Sequence, residues 1–578
     1  MDLAALTRWT PDAAIGTLQS VPRARPPAPE PPTTHYPTFL SLLLLLAAAT
    51  PARAQAPSGT IVIVTGEQAT VPIPTFMEGP GNTRANQDLA DQLYLRLAVR
   101  KPGRATSDER GFEPQLARSW TRLDSLTLAF DLDQRARWHD GTPVTARDVV
   151  FTFRRAMSDS IAPSLASHLP YLASVTASGE HQVIVRFSRA YPEQLFDATY
   201  YVQPIPAHIF ENRQPPSSAG AVAATPVGDG PYRWVRSVPG EFIELAAVPD
   251  FFLGRPGIGR VVFRTATDPS ARLNLLLSGE ADALSAIVPP LANRDRLLAS
   301  GDFRVLTMAS NLVGYLLYNL RTPGDSAAPH PVLADRRVRQ ALTLALDRQA
   351  MARSVFGGYA KVPYGPVSQV MWLSAVAPRP SRQDLATARS LLAQAGWRDR
   401  DGDGVLERNG TPLRLSVIVP STSTMRRQLA IAAQEQLRQV GVQLDVLVLE
   451  RPVWQERFVS GRFDIAFGSM TQSPTPSGLN ESWTCAGSSN VSHYCDTVAD
   501  SLLAAATLSV ADPAATYVTL LRRIESDAPA TFLFAPLDVV AVHKRFDGVE
   551  LRDGSPWLML WRWHVRRGQE LPRDRVPR

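Results

Sequence analysis

Ala136-Arg137-Trp138-His139-Asp140-Gly141-Thr142-Pro143-Val144-Thr145-Ala146-Arg147-Asp148-Val149-Val150-Phe151 sets a turn directly before a helix. Gly141-Thr142-Pro143 has the residue types of a tight turn, with a glycine free in φ and a proline fixed in it. A helix starts near Thr145, and Asp148 in its first turn complements the positive end of the helix dipole. His139-Asp140 is the nearest approach to a general base beside a carboxylate, yet its place before the turn favours a structural role. Outward from here, Leu126 to Leu132 and Val183 to Phe187 are apolar runs with alternating polar positions, the pattern of strands.

The same alternation of strand and helix extends along the chain. Thr60 to Thr65 reads as a buried strand ending at Gly66, and Leu89 to Leu97 as a helix. Asp335 to Val355 reads as one long helix and Leu385 to Ala395 as another. Leu413 to Val419 is a strand, Met425 to Val440 a helix behind a Ser/Thr cap cluster, and Gln443 to Leu449 a strand. Residues 210–226 and 321–331, rich in Pro, Ser and Gly, are candidate boundaries. This density of alternation implies a mixed α/β architecture with largely parallel sheets. Trp561 and Trp563, flanking Arg562, have the spacing of a half-buried strand.

With 578 residues, 44% hydrophobic and 20% charged, the chain can bury a core of several domains' size. Its 60 Lys+Arg against 54 Asp+Glu leave +6, with no basic arm, which argues against nucleic-acid binding. The apolar run from Phe39 to Ala49 is shorter than the ~18 to 20 residues of a membrane span and ends in Ala52-Arg53-Ala54, the small-x-small pattern of a signal peptidase site. Residues 1–54 therefore read as a Pro-rich extension plus export signal, with the mature chain starting at Gln55, soluble, not membrane-spanning and in an oxidising space. Cys485 and Cys495, the only two cysteines, are expected to form one local disulfide, contributing about 2 to 3 kcal/mol in the chain-entropy account.

Enzyme motifs are missing: no G-x-S-x-G, no H-E-x-x-H and no phosphate-binding G-x-x-x-x-G-K-[ST]. Asp399, Asp401 and Asp403, with Gly404 at the sixth position, match the opening of a calcium loop. The twelfth position is Gly410 rather than a bidentate Glu, so the site is weak, and a turn-rich hairpin before the strand at Leu413 explains the same residues.

Several stretches, in order, resemble the peptide, dipeptide and nickel branch of the periplasmic solute-binding proteins of ABC importers, extracellular solute-binding protein family 5. They are Glu113-Pro114-Gln115-Leu116-Ala117-Arg118-Ser119-Trp120, the stretch from Ala136 to Phe151, and Gly228-Asp229-Gly230-Pro231-Tyr232. Ser278-Gly279-Glu280-Ala281-Asp282, Arg337-Val338-Arg339-Gln340-Ala341-Leu342 with Ala345-Leu346-Asp347-Arg348, and Gly461-Arg462-Phe463-Asp464-Ile465-Ala466 continue the match. The resemblance implies a two-lobed α/β periplasmic-binding-protein fold with a hinge, of the type II, large peptide-binding-like class. Lobe I would comprise 57–98, 222–316 and 530–578, with an extra domain inserted at 99–221, and lobe II 317–529. It implies a periplasmic monomer that needs no cofactor, captures a peptide-like or other small polar solute and delivers it to a membrane permease. Ligand-facing positions carried over are Glu67, Gln68 and Thr70 in lobe I, and Arg451, Met470, Thr471, Ser473 and Thr475 in lobe II. In peptide-binding members an Asp that pairs with the ligand's amino terminus stands where this chain has Ser473, and a Trp where it has Met470. Two other classes stay open: a secreted α/β hydrolase assembled from distant residues, and a periplasmic sensor or chaperone on the same fold.

Overall fold

The computed structural model describes residues 59–575 apart from 71, 75–82, 159–161, 163–164, 167, 213–224, 288–291 and 510–512. The export segment falls outside the described residues.

The first strand, β1 (Thr60–Thr65), is buried along its whole length. Successive strand side chains face opposite ways. Ile61 and Ile63 enter one core while Val62 and Val64 enter another, which is why an unbroken apolar run was needed. Helix α1 (Arg84–Leu93) follows, starting and ending earlier than its apolar spacing suggested, because Thr83 caps it through the Asn86 N–H. A separate antiparallel sheet of order β2-β3-β5-β4 comprises β2 (Ala117–Asp124), β3 (Thr127–Leu132), β4 (Leu172–Ala177) and β5 (Gln182–Phe187). Helix α2 (Ala146–Ala156) lies between β3 and β4 in sequence, with Thr145 as its cap and Asp148 accepting the Thr145 N–H at 2.9 Å. The other Asp148 oxygen accepts the Ala207 N–H at 2.8 Å, so one carboxylate closes two chain ends.

The large sheet continues with β6 (Tyr232–Val238), β7 (Phe242–Ala247), β8 (Arg260–Thr265), β9 (Ala283–Leu284), β10 (Phe303–Ala309) and β11 (Leu312–Tyr318). Beyond it, α3 (Arg336–Leu344) and α4 (Arg348–Phe356) replace the single helix expected over 335–355. Asp347 accepts the Ala350 N–H and caps α4, so the apolar face continues while the backbone restarts. Then come β12 (Ala360–Lys361), α5 (Leu385–Gln394), β13 (Arg414–Pro420), α6 (Thr424–Arg438), β14 (Gln443–Leu449), α7 (Arg451–Val459) and β15 (Ile465–Thr471). Helices α8 (Thr497–Leu508) and α9 (Pro513–Asp527) precede the last long strand, β16 (Ala530–His543).

The order is β14-β13-β15-β11-β16-β9-β1-β8-β7-β6, with β10 and β12 also on β16. Among the described residues, parallel pairing is confined to β1 with β8 and β9, and β13 with β14 and β15. The largely parallel sheet expected from the alternation is therefore corrected to a mixed one. Runs buried on both faces look alike whichever way a strand runs. Trp561 and Trp563 are not on a strand either: Trp561 lies in a 3-10 turn at Leu560–Arg562, and Trp563, the extended residue that follows it, is fully buried.

The fold has two lobes with separate cores. One pair of cores draws on residues 61–308 and 539–563, the other pair on 313–534. Strand β16 supplies all four: Leu533 and Phe534, Ala530 and Phe532 to the second lobe, Val540 and Val542, Val539 and Ala541 to the first. Its first part pairs with β11 and its last with β10 and β9. The chain thus crosses within β16 and again between β10 and β11, at Ser310 and Asn311.

The quoted turn has a packing reason. The His139 N–H donates to the Gly228 carbonyl, the Gly228 N–H donates to His139 Nδ1, and Nε2 donates to the Gly230 carbonyl at 3.0 Å. Burial holds this imidazole down at about 4, so it is a neutral fastener, as its place before the turn implied. A Cβ on Gly228 would lie 1.8 Å from the Leu93 carbonyl oxygen, and one on Gly230 2.4 Å from that of Gln92. Between them, Asp229 accepts the Leu95 N–H at 2.9 Å, and burial pushes its carboxyl up to about 8.

Arg545, 1% exposed, closes the first lobe: it reaches Asp282 at 2.8 Å, Asp574 at 2.7 Å and the Thr60 carbonyl, while the two carboxylates accept the N–H groups of Val62 and Thr60. Removing one partner of such a buried network strands the others.

Arg545→Ala should destabilise the protein by about 3 to 5 kcal/mol, measured as a lowered denaturant midpoint. Asp229 predicts a pH effect. Its native pKa stands above the unfolded value, so the native state holds the proton longer, and stability present below pH ~4 is lost as pH rises through about 8. Asp229→Asn should remove that component, so that urea unfolding at pH 5 and pH 8 gives a variant increasingly favoured over wild type at the higher pH.

Candidate functional site

The family-matched residues fall into three groups, which no hydrogen bond joins among the described residues. In the first lobe, Glu67 accepts the Ala85 N–H at 3.2 Å and the Thr70 N–H donates to Asn86 Oδ1 at 2.7 Å. The loop of Glu67, Gln68 and Thr70 is thereby fastened to the start of α1, with Glu67 and Thr70 exposed.

In the second lobe, β15 ends at Met470 and Thr471 beside the crossing, with Thr471 opposite Leu312. The chain leaves the sheet through Gln472, whose N–H donates to the Asn311 carbonyl and whose side chain bonds the Ser368 N–H and the Pro366 carbonyl. Ser473 and Thr475 then meet the module built on the four-stranded sheet. The Tyr201 hydroxyl lies 2.6 Å from Ser473 Oγ, and the Thr475 hydroxyl donates to Glu193, which also accepts from Thr106. His168 packs against the Tyr201 ring at 4.7 Å and reaches Glu481 at 3.2 Å. Burial raises the Glu193 carboxyl above its ordinary value, and bonds from Thr106, Thr475 and Trp372 pull it partly back. Burial raises the Tyr201 phenol as well. The contacts of Ser473 and Thr475 across the lobes are thus made by hydroxyls and a carboxyl whose pKa burial raises, with the His168–Glu481 pair beside them. Glu193 and Tyr201 carry no sequence signal: they sit in an ordinary Tyr-Pro-Glu-Gln run and at a helix end.

The third group is Arg451, exposed at the start of α7, without an ion pair among the described residues. Its charge opposes that of Arg426 in the first turn of α6. Arg426 donates to the Ser469 hydroxyl on β15, and its Nε, fully buried, has no hydrogen-bond partner among the described residues.

Cys485 and Cys495 are joined by a disulfide, with Cα atoms 4.2 Å apart. Asp399, Asp401 and Asp403 are exposed, and their oxygens lie within 4.8 Å of one another. Their bonds go to their own turn: Asp399 accepts from Gly402 and Gly404, Asp401 from Asp403, and Asp403 from Val405. Gly410, at the twelfth position, occupies the turn of a short hairpin with φ 74°.

A hydrolytic triad needs a nucleophile on the imidazole and a carboxylate behind it. Ser416, Asp464 and His330 do meet, but in the wrong order. Ser416 donates to Asp464 at 2.7 Å, and His330 Nε2 faces Asp464 at 3.1 Å. His330 Nδ1 accepts the Val332 and Leu333 N–H groups, which leaves no ring nitrogen to take a proton from a hydroxyl. No described helix is long and apolar enough to cross a membrane.

Comparison with known proteins agrees with this anatomy. The oligopeptide-binding protein AppA of Bacillus subtilis is 25% identical over 502 residues, covering 83% of this chain and 87% of that one. A Brucella ovis protein named for peptide binding with an ABC transporter is 28% identical over 369 residues, 62% of this chain and 65% of that one. Among solved structures, AppA of Bacillus subtilis in complex with a nonapeptide superposes with a TM-score of 0.71 at 23% identity, covering 89% of this chain and 100% of that one. NikZ of Campylobacter jejuni with Ni(L-His) gives 0.72 at 22% identity, with 88% and 100% covered. These two share the fold. Residues 111–492 match the profile described as bacterial extracellular solute-binding proteins, family 5 Middle, and the chain belongs to that family.

Proposed function

We propose that this protein is the periplasmic receptor of an ABC importer, released from its signal segment after Ala54, that closes over a peptide-like or other small polar solute and presents it to a membrane permease. The observation that carries this is the pair of crossings, within β16 and at Ser310–Asn311, between lobes with separate cores. Two short segments can absorb the rotation of a hinge while each lobe moves rigidly. The domain limits that go with it are 57–98, 222–316 and 530–578 for lobe I, 99–221 for the inserted module and 317–529 for lobe II. Its family supports the receptor over the hydrolase alternative.

Ser473 bears on the ligand. A buried ammonium requires a carboxylate or several acceptors. Ser473 is held by Tyr201, and the neighbouring acid, Glu193, already serves Thr106 and Thr475. Solutes without a free amino terminus fit these groups better than ordinary peptides.

Thermal unfolding of the purified protein against di- to octapeptides, their amino-blocked forms, nickel complexes and oligosaccharides tests this. A ligand at ~100 times its Kd adds about 2.7 kcal/mol of stability. Blocked or non-peptide ligands should raise Tm and free-amino peptides should not; a rise with free-amino peptides would sink the inference from Ser473 and keep the receptor. Tyr201→Phe removes one cross-lobe hydrogen bond, worth about 0.5 to 1.5 kcal/mol, and keeps the ring. Ligand affinity should fall roughly 2- to 10-fold, with a larger radius of gyration in solution scattering; unchanged affinity and radius would show that the Tyr201–Ser473 contact does not hold the lobes together.

A further inference from the structure

The second lobe carries a groove that shares no residue with the three groups described above. Its volume is about 1190 Å³, above the ~300 to 1000 Å³ of small-molecule pockets, and it runs between α4 with β12 on one side and residues 379–383 on the other. Small residues make the room: Ala352 on α4, then Gly357, which ends that helix at φ 57°, and Gly358, where a Cβ would meet nothing within 4 Å. The far wall is fixed in place. Buried Arg348 donates to the Ser381 carbonyl at 3.0 Å and to its hydroxyl at 2.8 Å. Gln383 donates to the Ala345 carbonyl and the Asp384 N–H to the Leu344 carbonyl, both at 2.9 Å. A groove already held open asks an occupant to order none of its walls.

Charge is the second observation. Arg353, Lys361, Arg379 and Arg382 line the groove, all exposed, and none makes a side-chain hydrogen bond or ion pair among the described residues. The lining carboxylate, Asp347, is engaged by the Ala350 N–H at the start of α4, and the lining Arg348 already meets Glu525. Unpartnered arginines stand elsewhere on the surface too, but here four cations face one hollow, in a chain whose whole excess is +6. Like charges so placed repel one another, and an anion between them reverses the sign of that interaction.

The backbone supplies the third. β12 pairs with β16, Ala360 opposite Pro536 and Lys361 opposite Ala535, and with no other strand among the described residues, so one edge of it is open beside the groove. An open edge accepts an extended chain by backbone pairing, and a lysine on such an edge wards off neutral strands. With three arginines around it, Lys361 favours an acidic one.

We propose that this groove docks an extended, acidic segment of another polypeptide, which pairs along β12 and sets its carboxylates against Arg353, Lys361, Arg379 and Arg382. Docking here is independent of which solute the lobes enclose.

The test is fluorescence anisotropy of the purified protein with a labelled decapeptide of alternating Glu and Thr, blocked at both ends, whose carboxylates share one side when it is extended. The matching Gln and Thr peptide is the neutral control. Wild type should bind the acidic peptide at low ionic strength, lose affinity as salt is raised, and bind the neutral peptide at least ten-fold more weakly. Lys361→Glu with Arg382→Glu, and separately Arg353→Glu with Arg379→Glu, should each weaken binding roughly ten-fold or more and leave Tm unchanged, because only exposed charges alter. Arg118→Glu with Arg233→Glu makes the same change of net charge at exposed positions of the first lobe, and should stay within about two-fold of wild type. No binding at low salt, equal binding of the two peptides, or an equal loss in the first-lobe variant would overturn the assignment. So would binding that the groove variants retain, which puts the peptide in the cleft between the lobes. Phosphatidylglycerol vesicles form the last arm: if the groove reversals abolish vesicle binding but not peptide binding, the occupant is a membrane surface and the assignment fails. The Tm rise with solute, which tests the receptor reading, should be the same in the groove variants as in wild type, so the two readings fail separately.

Discussion

Everything in the fold depends on one strand serving two bodies. Residues 530–543 lie at the centre of the large sheet, and their two ends belong to different cores. A strand is stiff along its length and binds its neighbours through regularly spaced backbone groups, so the lobes share a ladder even though they do not share a core. The chain passes between them only at the few residues between Phe534 and Val539 and at Ser310–Asn311. Arg84, at the start of α1, sits 3.9 Å from Asp538 in the former segment, which ties the edge of the first lobe to the place where the strand changes allegiance.

The second constraint is chemical. Segment 473–475 meets the four-stranded module through hydroxyls and a carboxyl whose burial favours the neutral form. Neutral hydrogen bonds net little and leave few stranded charges when broken, so an interface built from them opens at modest cost. Arg426, by contrast, is charged and meets a neutral hydroxyl, Ser469.

How far this was legible from sequence varies by feature. β1 and β14 match the expected strands residue for residue, because six or seven consecutive buried or alternating positions leave no other period. The turn at His139 and the helix behind it were likewise readable, since turn residues and a cap act locally. Strand direction was not, because β11 and β13 bury both faces whether their neighbours run with or against them. The break between α3 and α4 was missed because the apolar spacing continues through Asp347, and only the cap reveals it. At the site, Ser473 and Thr475 were reached by resemblance. Glu193, Tyr201 and Arg426 were not, because their meaning comes from partners tens or hundreds of residues away.

The position of β16 near the end of the chain has a consequence for biogenesis. Neither lobe has its central strand until residue 543 has left the ribosome, and β11, β10 and β9 each expose an unpaired edge until then. Long-range pairings of this kind form slowly, because the connecting loop must close before any contact is gained. Until then neither sheet can be completed, whatever the order in which the earlier elements form.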